Sequence, residues 1–191
     1  MKSTGRLRLV QPSDPAVASD EARLPPLPVI YDKYCRYVAS IAARLLGRED
    51  EVKDVVQDVF VAAMEHLHDL ERAESVKSWL GAITVNKATS RLRRRKVRKL
   101  FGLDVATYTP PAAPASPDQS AYLARLYREL DRLPTNHRVA WTLRYVEEQP
   151  LEDVARLCGC SLATAKRWIA AAHEAICDLE ANAHVSKGQA R

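Results

Sequence analysis

The part of this sequence with the most evident chemistry is a run of cations. Between Asn86 and Leu100 there are eight lysine and arginine side chains and no acidic side chain, and seven of the eight lie within Arg91–Lys99. Because such a density of positive charge attracts phosphate groups, the run predicts contact with a nucleic-acid backbone. A solvated helix end is the alternative, and the tight clustering favours phosphate binding. The best candidates for phosphate contact are Arg91, Arg93, Arg94, Arg95 and Lys96.

A second group of candidate residues lies near the C-terminus. The segment 151–169 has the pattern of a short helix, a turn containing Gly159, and a longer helix capped by Ser161, which is the helix-turn-helix plan. On a helical wheel the small and aliphatic side chains of the second helix face inward. The outward side chains would enter a major groove, although an ordinary helical hairpin is the alternative. The outward candidates for base or phosphate contact are Ser161, Thr164, Lys166 and Arg167.

A third group is acidic and amidic. Asp54, Gln57 and Asp58 are spaced i, i+3 and i+4, which places them together on a helix face away from the Val/Phe stripe. DNA would repel such a face, so the residues predict a protein partner. A solvated polar face is the alternative.

The helix that leads into the cation run carries groups suited to an unpaired base. Binding an unpaired strand needs aromatic and polar side chains to receive an unstacked base, and cations for the strand backbone. Ser78, Trp79, Asn86 and Lys87 have these properties. For Trp79 a place in the hydrophobic core is the alternative.

Other kinds of site are not predicted. His66 and His68 are interpreted as surface residues at a helix end, and the single residue between Cys158 and Cys160 is too short for the usual zinc spacing. Redox sensing by that cysteine pair is the alternative. The chain has six glycines and no phosphate-binding loop, and no serine, histidine and carboxylate set suggests catalysis. We therefore predict no catalytic residue, no metal, no cofactor and no enzyme activity.

Composition limits the class of protein. The chain has 191 residues, a net charge of +5 and 47% hydrophobic residues, enough for a packed core. No apolar stretch approaches the ~18 residues of a membrane helix, and prolines replace the apolar core of a secretory signal. The four cysteines do not suggest a disulfide framework. These features predict a cytoplasmic protein that does not insert into membranes.

Proline-rich stretches divide the chain into domains. We predict a flexible arm over 1–28 and a Pro-rich linker over 101–120, while the residues between them show helical periodicity. The fold class is therefore all-α, with two small helical domains and a C-terminal helix-turn-helix in the second. The segment 29–85 has charge −3, the cation run +8, and the segment 121–183 charge −1. The predicted domains are 29–100 and 121–183, followed by a tail over 184–191.

The order of these features resembles a known family, the extracytoplasmic-function (ECF) sigma factors of bacterial RNA polymerase. Asp54–Phe60 is similar to the family's Asp-x-x-Gln-Glu/Asp-x-Phe signature. Ser78-Trp79-Leu80, followed by Asn86 and arginines, resembles the segment that melts and reads the −10 promoter element. The second domain resembles the −35-binding domain through Leu133-Pro134, Leu143-Arg144-Tyr145 and Leu151–Lys166.

The resemblance implies three surfaces. The residues implied to dock on the clamp coiled coil of core RNA polymerase are Asp54, Gln57, Asp58 and Phe60. The residues implied to recognise −10 DNA are Ser78, Trp79, Asn86, Lys87, Arg91, Arg93, Arg94, Arg95 and Lys96. The residues implied to recognise −35 DNA are Ser161, Thr164, Lys166, Arg167 and Trp168. The implied partners are core RNA polymerase, promoter DNA and an anti-sigma factor.

The sequence departs from the family pattern at several DNA-facing positions. Ser90 stands where the family often has Asp, Trp168 replaces a frequent Arg, and Ala170 and Ala171 replace polar or basic side chains. We therefore expect weak −35 recognition, with more of the affinity carried by the first domain. Two rival functions remain at this point: a stand-alone helix-turn-helix regulator, and a sigma-like decoy that binds polymerase without initiating transcription.

Overall fold

The computed structural model describes the backbone of residues 24–69, 76–103 and 116–188. Every element in these ranges is helical, which confirms the all-α prediction. The helices are α1 (Leu27–Leu46), α2 (Glu49–His66), a 3-10 turn (Leu67–Asp69), α3 (Val76–Leu100), α4 (Pro117–Leu130), α5 (Thr135–Tyr145), α6 (Leu151–Leu157) and α7 (Leu162–Gly188).

Helices α1, α2 and α3 pack against one another through the predicted apolar stripes. Val38, Leu45, Val55, Val59 and Leu80 are each no more than 1% exposed. Burying such side chains contributes roughly 1.5–3 kcal/mol each, which is the main stabilisation of this three-helix unit. Its apolar core fixes the first half of α3, so that the cation run follows as the second half of the same helix.

The second unit is built from α4 to α7. Helix α7 packs against α4, α5 and α6. Ala165, Ile169, Ala172 and Ile176 are buried at the spacing predicted for the inward face. Leu162, also predicted to face inward, is instead 37% exposed, because it lies in the first turn of α7 beyond the packed part of the helix.

Several predicted boundaries differ from the helix ends. Helix α4 begins at Pro117, inside the predicted linker, because Ser116 and Gln119 form a capping box that satisfies backbone N–H groups there. Pro134 takes the cap position of α5, and Thr135 is its first helical residue. Helix α7 continues to Gly188, into the predicted tail. Residues 1–23 of the arm, 104–115 of the linker and 189–191 of the tail lie outside the described ranges.

Candidate nucleic-acid and protein interfaces

The acidic face of α2 is open to solvent. Gln57 and Asp58 are exposed, and Asp54 is exposed while it accepts a hydrogen bond from Arg91 Nη2 at 3.1 Å. Phe60, predicted to dock with them, is buried instead, and its ring meets that of Tyr31 edge-on at a centroid distance of 4.7 Å. It follows the Val55/Val59 stripe toward the core, so most of its ring supports the surface from below.

An apolar groove lies beside this face, between α1 and α2. Gln57 and Phe60 are part of its wall, together with Tyr31, Val61 and Met64. The last two are 44% and 63% exposed, which is high for such side chains. An apolar centre with a polar rim is typical of a protein–protein interface. Sequence reasoning missed Val61 and Met64 because they lie outside the apolar stripe of α2, and it missed Tyr31 because Tyr31 belongs to the apolar stripe of α1, which predicts burial.

The candidate residues in the first half of α3 differ in their exposure to solvent. Ser78 and Asn86 are exposed and Lys87 is half-buried. Trp79, for which two roles were open, packs half-buried against the core of the first unit. Its indole therefore supports α3, and the polar residues are the ones presented outward.

The cation run in the second half of α3 does not form one free surface. Arg94 is exposed, and Arg93 is exposed while its Nη2 donates to Asn136 Oδ1 at 3.0 Å. Arg95 was predicted to contact phosphate, but its side chain is only 10% exposed and its guanidinium donates to Leu46 O and to Asp131 Oδ1. Lys96 donates to Leu133 O.

In this arrangement of the chain Arg95 and Lys96 have partners within the protein, and their contact with DNA stays a prediction. The two side chains face the second unit and are not directed at solvent. The physical reason is that backbone carbonyls and a carboxylate lie within reach of these positions.

The helix-turn-helix has the geometry that the sequence predicts. Gly159 has a φ of 62°, a left-handed conformation that glycine adopts without a Cβ penalty. Ser161 Oγ accepts the backbone N–H of Thr164 at 3.2 Å and so caps α7, and it lies 2.9 Å from Thr164 Oγ1. These two hydroxyls are engaged with each other, whereas Lys166 and Arg167 are exposed on the outer face.

Trp168 is turned toward the core of the second unit. It is half-buried, and its ring lies 6.2 Å from that of His137 on α5. Burial, followed by the charges of Arg167 and Lys96, lowers the pKa of His137 below its usual value. Ala170 and Ala171 are exposed on the outer face of α7, which carries no polar side chain at these two positions.

Two family models match the chain in the order of its two helical units. Sigma-70 region 2 matches residues 30–98, which span α1 to α3, and Sigma-70 region 4 matches residues 123–176, which lie in α4 to α7. The two matches together cover more than half of the sequence.

Curated relatives agree with these matches. The chain is 29% identical over 131 residues to the ECF RNA polymerase sigma factor EcfG of Rhodopseudomonas palustris, covering 66% of this chain and 70% of that protein. It is 27% identical over 159 residues to the ECF RNA polymerase sigma-E factor of Haemophilus influenzae, covering 78% and 84%. The chain belongs to the ECF sigma factors.

Solved structures share the fold of this sigma factor. The sigma factor RpoE of Bartonella quintana, in complex with the anti-sigma factor NepR, aligns with a TM-score of 0.62 at 25% identity, over 80% of this chain and 94% of that one. CnrH, in complex with the cytosolic domain of CnrY, aligns with a TM-score of 0.57 at 24% identity, over 82% and 88%, which shows the fold alone.

As an ECF sigma factor the protein binds core RNA polymerase and directs it to promoters, and the two rival functions are not favoured. Region 2 carries the α2 face and the cations of α3, and region 4 carries the helix-turn-helix. None of the helices in the described ranges is long and apolar enough to cross a membrane. The same ranges contain no cluster of three or more metal-ligating side chains.

Proposed function

We propose that this sigma factor divides its work among three surfaces: the α2 face with its groove binds core polymerase, α3 binds and opens the −10 element, and α7 contacts the −35 element. The observation that carries the proposal is on region 2, where an exposed acidic face and an apolar groove adjoin a helix that is rich in cations. Region 2 thus presents one surface suited to a protein and, beside it, a helix suited to nucleic acid.

The polymerase surface consists of polar and apolar parts. Gln57, Asp58 and Asp54 supply a negative rim, which fits a basic partner surface, while Val61 and Met64 supply apolar area. Electrostatic complementarity of this kind mainly sets specificity and the rate of association, and burial of the apolar side chains supplies affinity. Phe60 acts from below by fixing the spacing of α1 and α2.

The −10 surface consists of the polar first half of α3 and the cations that follow it. Ser78, Asn86 and Lys87 are placed to meet bases of an opened strand, with Trp79 holding α3 on the core. Arg94, and Arg91 and Arg93 once their side-chain partners release them, are placed to meet phosphates. Opening a duplex in this way needs no covalent step, so we assign no enzymatic reaction to the sigma factor.

The −35 surface rests on few residues. Lys166 and Arg167 face outward, Ser161 and Thr164 offer hydroxyls at the start of α7, and Trp168 packs inward. With alanines at 170 and 171, this helix supplies a smaller share of promoter affinity than α3 does.

An anti-sigma factor is a further proposed partner. The solved sigma factors RpoE and CnrH are in complex with NepR and with the cytosolic domain of CnrY. By this likeness we propose that a protein of the same kind binds here and withholds the sigma factor from polymerase. We place its action in the cytoplasm, because core polymerase and the chromosome are there.

A charge reversal tests the polymerase surface. Asp58→Arg places a cation in the negative rim, and like-charge contact with a basic partner surface costs several kcal/mol, so affinity for core polymerase should fall by on the order of a hundredfold. The control is Glu152→Arg, which makes the same charge change at an exposed site of α6 in region 4. Affinity is measured with labelled sigma factor and purified core polymerase. Equal affinity of the two variants would refute the assignment.

A further inference from the structure

The C-terminus of α1 is capped by side chains from region 4. The last carbonyls of a helix have no partner within the helix and need donors from elsewhere. Ala43 O accepts the N–H of Gly47 at 2.8 Å, but Arg44 O accepts the hydroxyl of Tyr127 at 3.0 Å. Leu45 O accepts Nε and Nη2 of Arg138 at 3.1 and 2.7 Å.

Leu46 O, the final carbonyl of α1, has donors from both regions. It accepts Nη2 of Arg138 at 3.1 Å and Nη1 of Arg95 at 3.2 Å. Two guanidinium groups thus lie at the negative end of the α1 dipole, where positive charge is stabilising. Tyr127 and Arg138 belong to α4 and α5, so region 4 supplies the partners that Gly47 and Arg95 of region 2 do not provide at this helix end.

A carboxylate of region 4 holds these two arginines together. Asp131 Oδ1 lies 3.1 Å from Arg95 Nη2 and also accepts a hydrogen bond from Arg138. Burial lowers the pKa of Arg138 to about 10, against the opposing effect of Asp131, so the guanidinium stays charged at neutral pH. Without Asp131 the two cations would repel each other close to the α1 terminus.

Further contacts extend the interface on both sides of this cluster. Arg44 Nη1 lies 2.9 Å from Glu147 Oε1, and Lys96 donates to Leu133 O. The apolar core is also continuous, since Val139 and Leu143 of α5 belong to the same buried cluster as the side chains of α1 and α3. Regions 2 and 4 are therefore docked on each other.

This docked form is incompatible with simultaneous contact to both promoter elements. The −10 and −35 elements are about 25 base pairs apart, or roughly 85 Å at 3.4 Å per base pair. A compact chain of this length has a radius of gyration of only about 16 Å. The two regions must separate to reach both elements, and separation removes Asp131 from Arg95 and Leu133 O from Lys96, while Leu46 O and Glu51 of region 2 remain beside Arg95.

We propose that the docking of region 4 on region 2 is an autoinhibitory latch that withholds Arg95 and Lys96 from promoter DNA until the regions separate. The latch uses the same cations that DNA phosphates would bind, so the two interactions exclude each other. Tyr127, Asp131 and Arg138 are its main parts on region 4. The proposal rests on the role of α3 in DNA binding given above.

Neutralising the central carboxylate tests the latch. Asp131→Asn leaves Arg95 and Arg138 facing each other without a shared anion, so the chain should open. Asp118→Asn makes the same charge change at an exposed position in the first turn of α4 and is the control. Solution scattering gives the radius of gyration, and fluorescence anisotropy gives the affinity for a labelled single-stranded DNA without polymerase. Circular dichroism verifies that each variant is folded.

Asp131→Asn should increase the radius of gyration and raise the affinity for single-stranded DNA by on the order of tenfold, since the apparent affinity scales with the open fraction. The control should do neither. Arg44→Gln, which removes only the ion pair with Glu147, should change both quantities in the same direction by less, with Arg36→Gln on α1 as its control.

Two outcomes would overturn the latch: an unchanged radius of gyration in Asp131→Asn, or opening without a gain in DNA affinity. Failure of the α3 assignment is recognised separately with Arg94→Ala. If Arg94→Ala leaves DNA affinity unchanged in the opened variant, the role of α3 is wrong. If Arg94→Ala lowers affinity but Asp131→Asn brings no gain, the latch alone is wrong.

Discussion

Gly47 matters both for the turn that ends α1 and for the docking of region 4 on region 2. It ends α1 with a φ of 68°, and its backbone N–H is bonded to Ala43 O. A Cβ at this position would lie 2.3 Å from Cδ1 of Tyr127, the residue whose hydroxyl caps Arg44. A glycine here both permits the left-handed turn and leaves room for the ring from region 4.

Gly47→Ala should destabilise the protein more than the backbone conformation alone requires. The left-handed conformation costs a non-glycine residue roughly 1–2 kcal/mol, and here the ring of Tyr127 must also move. Gly159→Ala is the control, because Gly159 has a similar φ of 62° and no other atom near its added Cβ. Urea unfolding gives both free energies. An equal loss of unfolding free energy in the two variants would mean that the ring of Tyr127 moves aside at no cost in stability.

Arg95 shows what the sequence can and cannot predict about a residue. Its place in a cation run predicts a positive surface, and the exposed Arg94 next to it fits that prediction. The partners of Arg95, however, are Leu46 O and Asp131, which lie 49 and 36 residues away in the chain. No local pattern identifies such partners, so the sequence could not separate the docked cation from the free one.

At the scale of elements, short-range signals were the most predictive. The turn between α6 and α7 followed from Gly159 and Ser161, because a left-handed glycine and a hydroxyl cap act within a few residues. The start of α4 was missed, although the capping box of Ser116 and Gln119 is also local. The proline content around it was interpreted as linker, and Pro117 is in fact suited to the first position of a helix.

A substitution on the outer face of α7 tests whether this helix contributes little to DNA binding. Ala170→Arg should add one phosphate contact, so the logarithm of holoenzyme affinity for a target promoter should fall more steeply with the logarithm of salt concentration, by about 0.9 in slope. Ala121→Arg is the control, because position 121 is exposed on α4, outside the helix-turn-helix. A slope that changes equally in both variants would show that added charge acts without regard to position.

At the scale of the whole molecule, the sequence predicted two helical units in the right order but not their docking. Each unit has its own apolar periodicity, which is a local property of the chain. The docking depends on the carbonyls of Leu45 and Leu46 meeting Arg138, more than 90 residues later. It also depends on Val139 and Leu143, whose periodicity fits either an internal core or an interface.

The docked form and the promoter-bound form therefore describe two states of one sigma factor. In the first, region 4 caps α1 and binds Arg95 and Lys96. In the second, the regions are apart and the cations of α3 face DNA. Core polymerase favours the second state to the extent that it binds the two regions separately.

The central claim is that this protein directs core RNA polymerase to promoters, and run-off transcription tests it most directly. Purified core polymerase is incubated with the protein and a library of promoter fragments, and the 5′ ends of the transcripts are mapped. We predict transcripts that depend on the protein and begin at a fixed distance downstream of a shared pair of sequence elements. Binding to core polymerase without any promoter-dependent transcript would contradict the claim.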